Sequence, residues 1–246
     1  MSLFTLPRLI LVEFLKLRRS LVLLLCAAAP TLVALLSLLM FLRWEKAEHW
    51  QRFTTGGAAL WAYFMLPMTI TALTILVAQL EHGPRGWNHV LALPLPRWQV
   101  FMAKAVAVLS LGAAMSAALV LLLPLSGLIA EQMKPGDQLQ GAIPWEATAR
   151  LIGQMYAGSI LLTGIQLWAA LWFRSFVPPL VLGIGGTFVA VAATSAEEGI
   201  FFPWLIPTNA LASDPARAAM ATDIGLYGGL SILVAMVVHM SRVEVR

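Results

Sequence analysis

Residues 57–80 contain no charged side chain, and comparable apolar runs recur at 21–42, 105–129, 151–173, 177–196 and 224–240. A helix needs about 20 apolar residues to cross the ~30 Å hydrocarbon core of a bilayer, and these runs have that size. They are continuous Leu, Ala, Val and Met, not the alternating pattern of a membrane β-barrel. Composition agrees: 60% of the 246 residues are hydrophobic and 11% charged, too few charges to cover a water-soluble domain. The chain therefore reads as an all-α polytopic membrane protein, one transmembrane domain over residues 1–246. The expected spans are Leu21–Leu42, Gly57–Leu80, Ala105–Ile129, Leu151–Phe173, Val177–Ala196 and Ile224–Met240. The first is too long for a cleavable signal and no small-residue cleavage site follows it. The fifth is the weakest as a regular helix, because it carries Pro178, Pro179, Gly183, Gly185 and Gly186.

Basic residues set the expected sidedness. With the N-terminus inside, ten of the 16 Lys and Arg fall in inner segments, among them Arg8, Lys16, Arg18, Arg19, Arg85, Arg97 and Lys104, and six fall outside. Both termini are then cytoplasmic. The net charge of +4 reflects this asymmetry and calls for no nucleic-acid partner.

Several chemistries lack their residues. The expected spans contain no Asp, Glu, Lys or Arg, and His239 lies near the end of the sixth. No GxSxG, HExxH or GxxxxGK[ST] occurs, and His49, His82, His89 and His239 share no metal-ligand spacing. Cys26, the sole cysteine, excludes an internal disulfide. No catalytic residue, cofactor or metal site is expected in this chain, and any active transport must draw its energy from another polypeptide.

The connectors carry more character. In residues 1–19, Leu3, Leu6, Ile10, Phe14 and Leu17 form one helical stripe, with Arg8, Lys16 and Arg19 opposite. That pattern suits an amphipathic helix in the inner interface, its apolar side toward lipid. Residues 81–104, EHGPRGWNHVLALPLPRWQVFMAK, interrupt two apolar runs with histidines, tryptophans, prolines and cations. Pro84 is placed to open a short helix and Pro94 to stop it. Trp87, Val90 and Leu91 then share a face able to plug a partner's groove, with Arg85 and His89 nearby. Trp98 and Lys104 suit interfacial anchors. Residues 197–223 hold an apolar aromatic stretch broken by Pro203 and Pro207, too short to span; they either re-enter the membrane from outside, the favoured reading, or lie on its outer surface. Gly225 and Gly229 form a GxxxG, and Gly112 with Ser116 repeats the small-residue spacing, which allows helices to approach closely. Gln79, Gln154, Gln166, Thr69, Thr71, Thr74 and Thr163 serve either a weakly polar translocation lining or interhelical hydrogen bonds.

Three stretches, taken in order, resemble permeases of the ABC-2 type. They are VEFLKLRRS at 12–20, the 81–104 connector with its closing acid and opening Lys, and FPWLIPTNAL at 202–211. The lead and Trp87 are most similar to permeases linked to lantibiotic and bacitracin immunity, although Pro96 stands where many members carry a small polar residue. The resemblance implies a subunit of an exporter in the bacterial inner membrane, dimerised with an identical or different permease. A separate ATPase, in two copies, would hold ATP and Mg. It also implies that residues 1–19 are an elbow helix, with Phe14, Lys16 and Arg19 in it. Glu81, Arg85, Trp87, His89, Val90 and Leu91 would couple to the ATPase through a short cytoplasmic helix. A hydrophobic or amphipathic substrate, such as an antimicrobial peptide or drug, fits the nearly chargeless interior. The competing reading is a membrane-embedded structural or sensor protein without transport activity, and a lipid-metabolising enzyme would lack its acid and base residues.

Overall fold

A computed structural model describes residues 5–18, 20–43, 48–82, 95–134, 139–194 and 196–243. Their regular structure is helical: α1 (Thr5–Leu17), α2 (Leu21–Arg43), α3 (Trp50–His82), α4 (Arg97–Met133), α5 (Trp145–Gly158), α6 (Ile160–Trp172), α7 (Val177–Ala192) and α8 (Pro215–Arg242). Five segments are long and apolar enough to cross a membrane, α5 and α6 counting together as Trp145–Trp172. At 16 residues, α7 is about 24 Å long, shorter than the ~30 Å apolar core.

Most helices outrun the apolar stretches that announce them. The polar residues Trp50–Gly56, expected as connector, already form the first turns of α3. Its turn at Trp61–Met65 widens to a π-helix, immediately before Pro67, whose ring would crowd the Tyr63 carbonyl in a regular helix. The 37-residue α4 starts at Arg97, two turns before the expected span, because Pro96 supplies an extended N-cap. The last helix begins at Pro215, inside the segment read as re-entrant, with Asp214 capping it through the Ala216 N–H.

What remains of that segment makes two 3₁₀ turns, Glu197–Phe201 and Ile206–Leu211. The second packs against α5 and α8, burying Ile206, Pro207, Thr208 and Asn209. Asn209 Oδ1 accepts from Arg217 Nε at 2.8 Å, fastening the turn to α8.

Glycine has unequal work in two helices. In α7 the expected weakness does not appear, since the helix is continuous and Pro178 and Pro179 lie in its first turn, where a missing N–H costs nothing. Gly183 leaves room for Thr71 and Gln166, and Gly186 for the Trp204 ring. In α8, Gly225 lies against the Gly158 backbone and Gly229 against Ile160 and Leu161. The chain breaks α-helical geometry there at Ser159, whose N–H is shared between the Met155 and Tyr156 carbonyls.

Most of the core is a large cluster running from Leu17 and Val22 through Trp61, Leu66, Phe101, Leu119 and Met155 to Met236, with smaller clusters around Phe41, Trp50 and Phe53 and around Ile200 and Ile206. The α1 stripe joins the large cluster. Leu17 is buried and Phe14 packs against the cluster, whereas Leu11, Val12 and Leu15 are exposed. The C-terminal half of the stripe therefore docks on the bundle, chiefly on α4.

Candidate functional site

Hydrophobic burial and close backbone approach bring the second half of α1, the start of α4 and the ends of α3, α6 and α8 to one end of the bundle, the terminal end. Four charges converge there. Lys104 Nζ lies 2.8 Å from Glu13 Oε2 and 3.1 Å from Glu81 Oε1. Lys16 Nζ lies 2.9 Å from Glu13 Oε1 and 2.7 Å from Glu81 Oε1. Charges of opposite sign alternate around a closed ring whose sum is zero.

Each member arrives for a local reason. Glu13 and Lys16 are three residues apart on α1, hence on one helical face. Lys104 is two turns into α4, and α1 lies across it. Glu81 is in the last turn of α3. The Lys104 side chain is fully covered (0% exposed), the two carboxylates are 5–6% exposed and Lys16 is 34% exposed, so Lys16 forms the solvent edge of the ring. Partial burial opposes its charge, but the hydrogen bonds and charges of Glu81 and Glu13 outweigh that and raise the ammonium above its ordinary pKa. Since the folded pKa is the higher one, this contribution is complete at neutral pH and disappears only in strong alkali.

The same turn of α3 reaches the other way as well. His82 Nε2 is 3.0 Å from the Ala170 carbonyl, and Gln79 Nε2 donates to the Arg174 carbonyl at 3.3 Å. Glu81 thus grips α1 and α4 while its neighbours grip α6 and the link to α7. Immediately beyond His82 lie residues 83–94. Of the residues expected to couple, Glu81 is in the ring; Arg85, Trp87, His89, Val90 and Leu91 lie outside the described residues, as does Arg19.

Lys104 is a correction. An interfacial anchor would reach toward headgroups, but α1 covers this residue and converts it into the centre of a buried network. Trp98, 38% exposed, remains at the surface. Glu13 was not singled out from the sequence, although its i,i+3 spacing to Lys16 was a usable signal.

The uncharged polar groups divide. Thr71, Thr74 and Thr163 donate to carbonyls of their own chain segment one turn back. Gln166 Nε2 donates to Thr71 Oγ1 at 2.8 Å across the α3–α6 contact. These are interhelical and intrahelical bonds of buried groups and do not face a passage.

At the opposite end, a cavity of about 450 Å³ opens among α2, α3 and α7. Phe41, Phe53, Leu60, Tyr63 and Phe64 give it largely apolar walls, and Glu48 and Arg52 also line it. The Arg52 Nε–Glu48 Oε1 distance is 3.4 Å. Among the described residues no group of three or more His, Cys, Asp or Glu could hold a metal ion.

The profile of a family described as ABC-2 family transporter protein matches residues 9–190. No curated protein matches, and no solved structure does. The matched region spans α1 to α7, and so contains every member of the charged ring and the helices around the cavity.

Proposed function

The chain belongs to the ABC-2 transporter family, and on that premise we propose that it is the membrane-spanning permease of an ABC exporter whose charged ring transmits the stroke of a separate ATPase. Family membership makes it a transmembrane transporter subunit with an ATPase partner; direction, substrate and the coupling device are this proposal. The carrying observation is the last turn of α3, where Glu81 bonds Lys16 and Lys104 while Gln79 and His82 bond the α6 side. A push on residues 83–94 would reach α1, α4 and α6 through that one turn. A neutral, closed ring suits the task because its members move together more cheaply than they separate. The terminal end is then cytoplasmic, α7 completes a sixth crossing, and the 3₁₀ turns sit at the outer mouth.

The apolar cavity, with its carboxylate and guanidinium, supports an amphipathic or hydrophobic substrate, and antimicrobial peptides and drugs fall in that class. The test is purification together with its partner ATPase, followed by substrate-stimulated hydrolysis. Trp87→Ala is expected to leave the ATPase bound but lower stimulated turnover by about tenfold or more, whereas Glu81→Gln, which unbalances the ring, should lower both turnover and the thermal midpoint. Full transport by the isolated permease, or stimulation unchanged in both variants, would sink the proposal.

A further inference from the structure

His239 takes no part in the ring or the cavity, yet an ionisable side chain in a spanning helix is costly without a role. Trp168 Nε1 donates to its Nδ1 at 3.3 Å, and its ring lies 5.3 Å from that of Trp168 and 5.0 Å from that of Trp172. These side chains wall a groove of about 400 Å³ between α6 and α8, completed by Ile165, Phe173 and Ile232. With Nδ1 accepting, the neutral imidazole carries its proton on Nε2 and has a donor left.

We propose that this groove is a binding site for one anionic phospholipid of the leaflet at the terminal end. Its walls are apolar and it lies between two spanning helices, so an acyl chain is the solvent that reaches it. Trp172 and Phe173 are 45% and 43% exposed at the end of a long apolar helix, the position in which aromatic side chains commonly meet headgroups. Charge selects the headgroup. Arg242 lies one turn beyond His239 on the same face of α8, and Arg174 follows two residues after Trp172. The imidazole Nε2–H and the Arg242 guanidinium offer a phosphodiester a hydrogen bond and a countercharge, while Trp168 fixes the ring's tautomer. A lipid held there would bridge α6 to the last turn of α8.

The experiment uses the permease with its ATPase in mixed micelles, titrated with phosphatidylglycerol or phosphatidylcholine bearing the same brominated chain. Bromine quenches nearby tryptophan. A saturable component is expected from phosphatidylglycerol at about fivefold lower mole fraction than from phosphatidylcholine, and lost in the Trp168→Phe/Trp172→Phe double variant. Arg242→Gln, at an exposed position, should abolish the headgroup preference without affecting folding, and His239→Phe should weaken it. Equal quenching by the two lipids, or a saturable component that survives the double variant, overturns the proposal. So does crosslinking between copies through Phe173→Cys in a Cys26→Ala background, which would make a second permease the occupant.

Discussion

The two ends of the bundle handle charge in opposite ways. At the terminal end four charged side chains touch one another, and three of them are almost completely buried. At the opposite end an apolar cavity is left open, and the pair beside it joins Glu48 to an Arg52 side chain that is 74% exposed. Buried charges are costly individually and tolerable only as a balanced set, so the first end moves as a unit. The second end leaves an apolar space open beside a mostly exposed guanidinium, which is what the proposed oily substrate needs.

The terminal end suffers most when its ring is unbalanced. Lys104→Met leaves Glu13 and Glu81 buried with only Lys16 to serve both. A loss of roughly 3–5 kcal/mol is expected, read as a large fall in the thermal midpoint of the purified protein. Pairing it with Glu13→Gln removes one charge of each sign and keeps the 2.7 Å Lys16–Glu81 contact. The double variant should recover more than half of the loss. A double variant no better than the single one would mean that packing, not charge balance, sets the cost.

Next in size are the glycine notches that hold the frame between the two ends. Gly225→Ala drives a methyl into the Gly158 backbone, which cannot step aside as a flexible side chain can. About 1–3 kcal/mol of destabilisation follows from overpacking. Gly185→Ala is the control, because nothing lies within 4 Å of its Cβ; the better helix propensity of Ala should leave it neutral or slightly stabilised. Melting curves of the two variants separate a packing role from a mere tolerance for glycine.

These examples show how far the sequence could be read. The apolar runs located the five long apolar helices and the shorter α7 to within a few turns, since burial in lipid imposes a composition that survives in the primary structure. The ring was present only as fragments: an acid ending one run, a Lys opening the next, and an E-x-x-K pair in the lead. A hydropathy boundary placed Lys104 outside its span, whereas Pro96 starts the helix two turns earlier and α1 covers the residue. That covering is a contact between segments about 90 residues apart, which no local pattern encodes. The protein contact of Phe14 and Leu17 was hidden for a related reason: amphipathicity says that a face is buried, not whether lipid or protein buries it. Gly183 and Gly186 looked like helix breakers because their tertiary neighbours, Thr71, Gln166 and Trp204, were not visible.

Filling the cavity tests the open end directly. Gly56 lines it and a Cβ there meets nothing within 4 Å, whereas a Cβ on neighbouring Gly57 would strike Leu123 and Ser37. Gly56→Phe should therefore occupy the cavity with less than about 1 kcal/mol of destabilisation, while stimulated ATPase activity and export fall together. Gly57→Ala should instead cost stability. Normal export by Gly56→Phe would remove the cavity from the substrate's route.

The smallest effect is expected at the ion pair beside the cavity, where it isolates the cause of the first. Arg52→Gln breaks an ion pair by deleting one cation, as Lys104→Met does, and the remaining carboxylate is again well covered, with Glu48 at 13% exposure. The difference is the cation's surroundings. A guanidinium that is mostly in water exchanges its partner for solvent and gains little from the 3.4 Å contact, so a change within about 0.5 kcal/mol is expected. Thermal midpoints measured side by side decide it. If Arg52→Gln proves as damaging as Lys104→Met, both ends are ionically fastened. The contrast between a locked end and an open one then has to be placed elsewhere in the bundle.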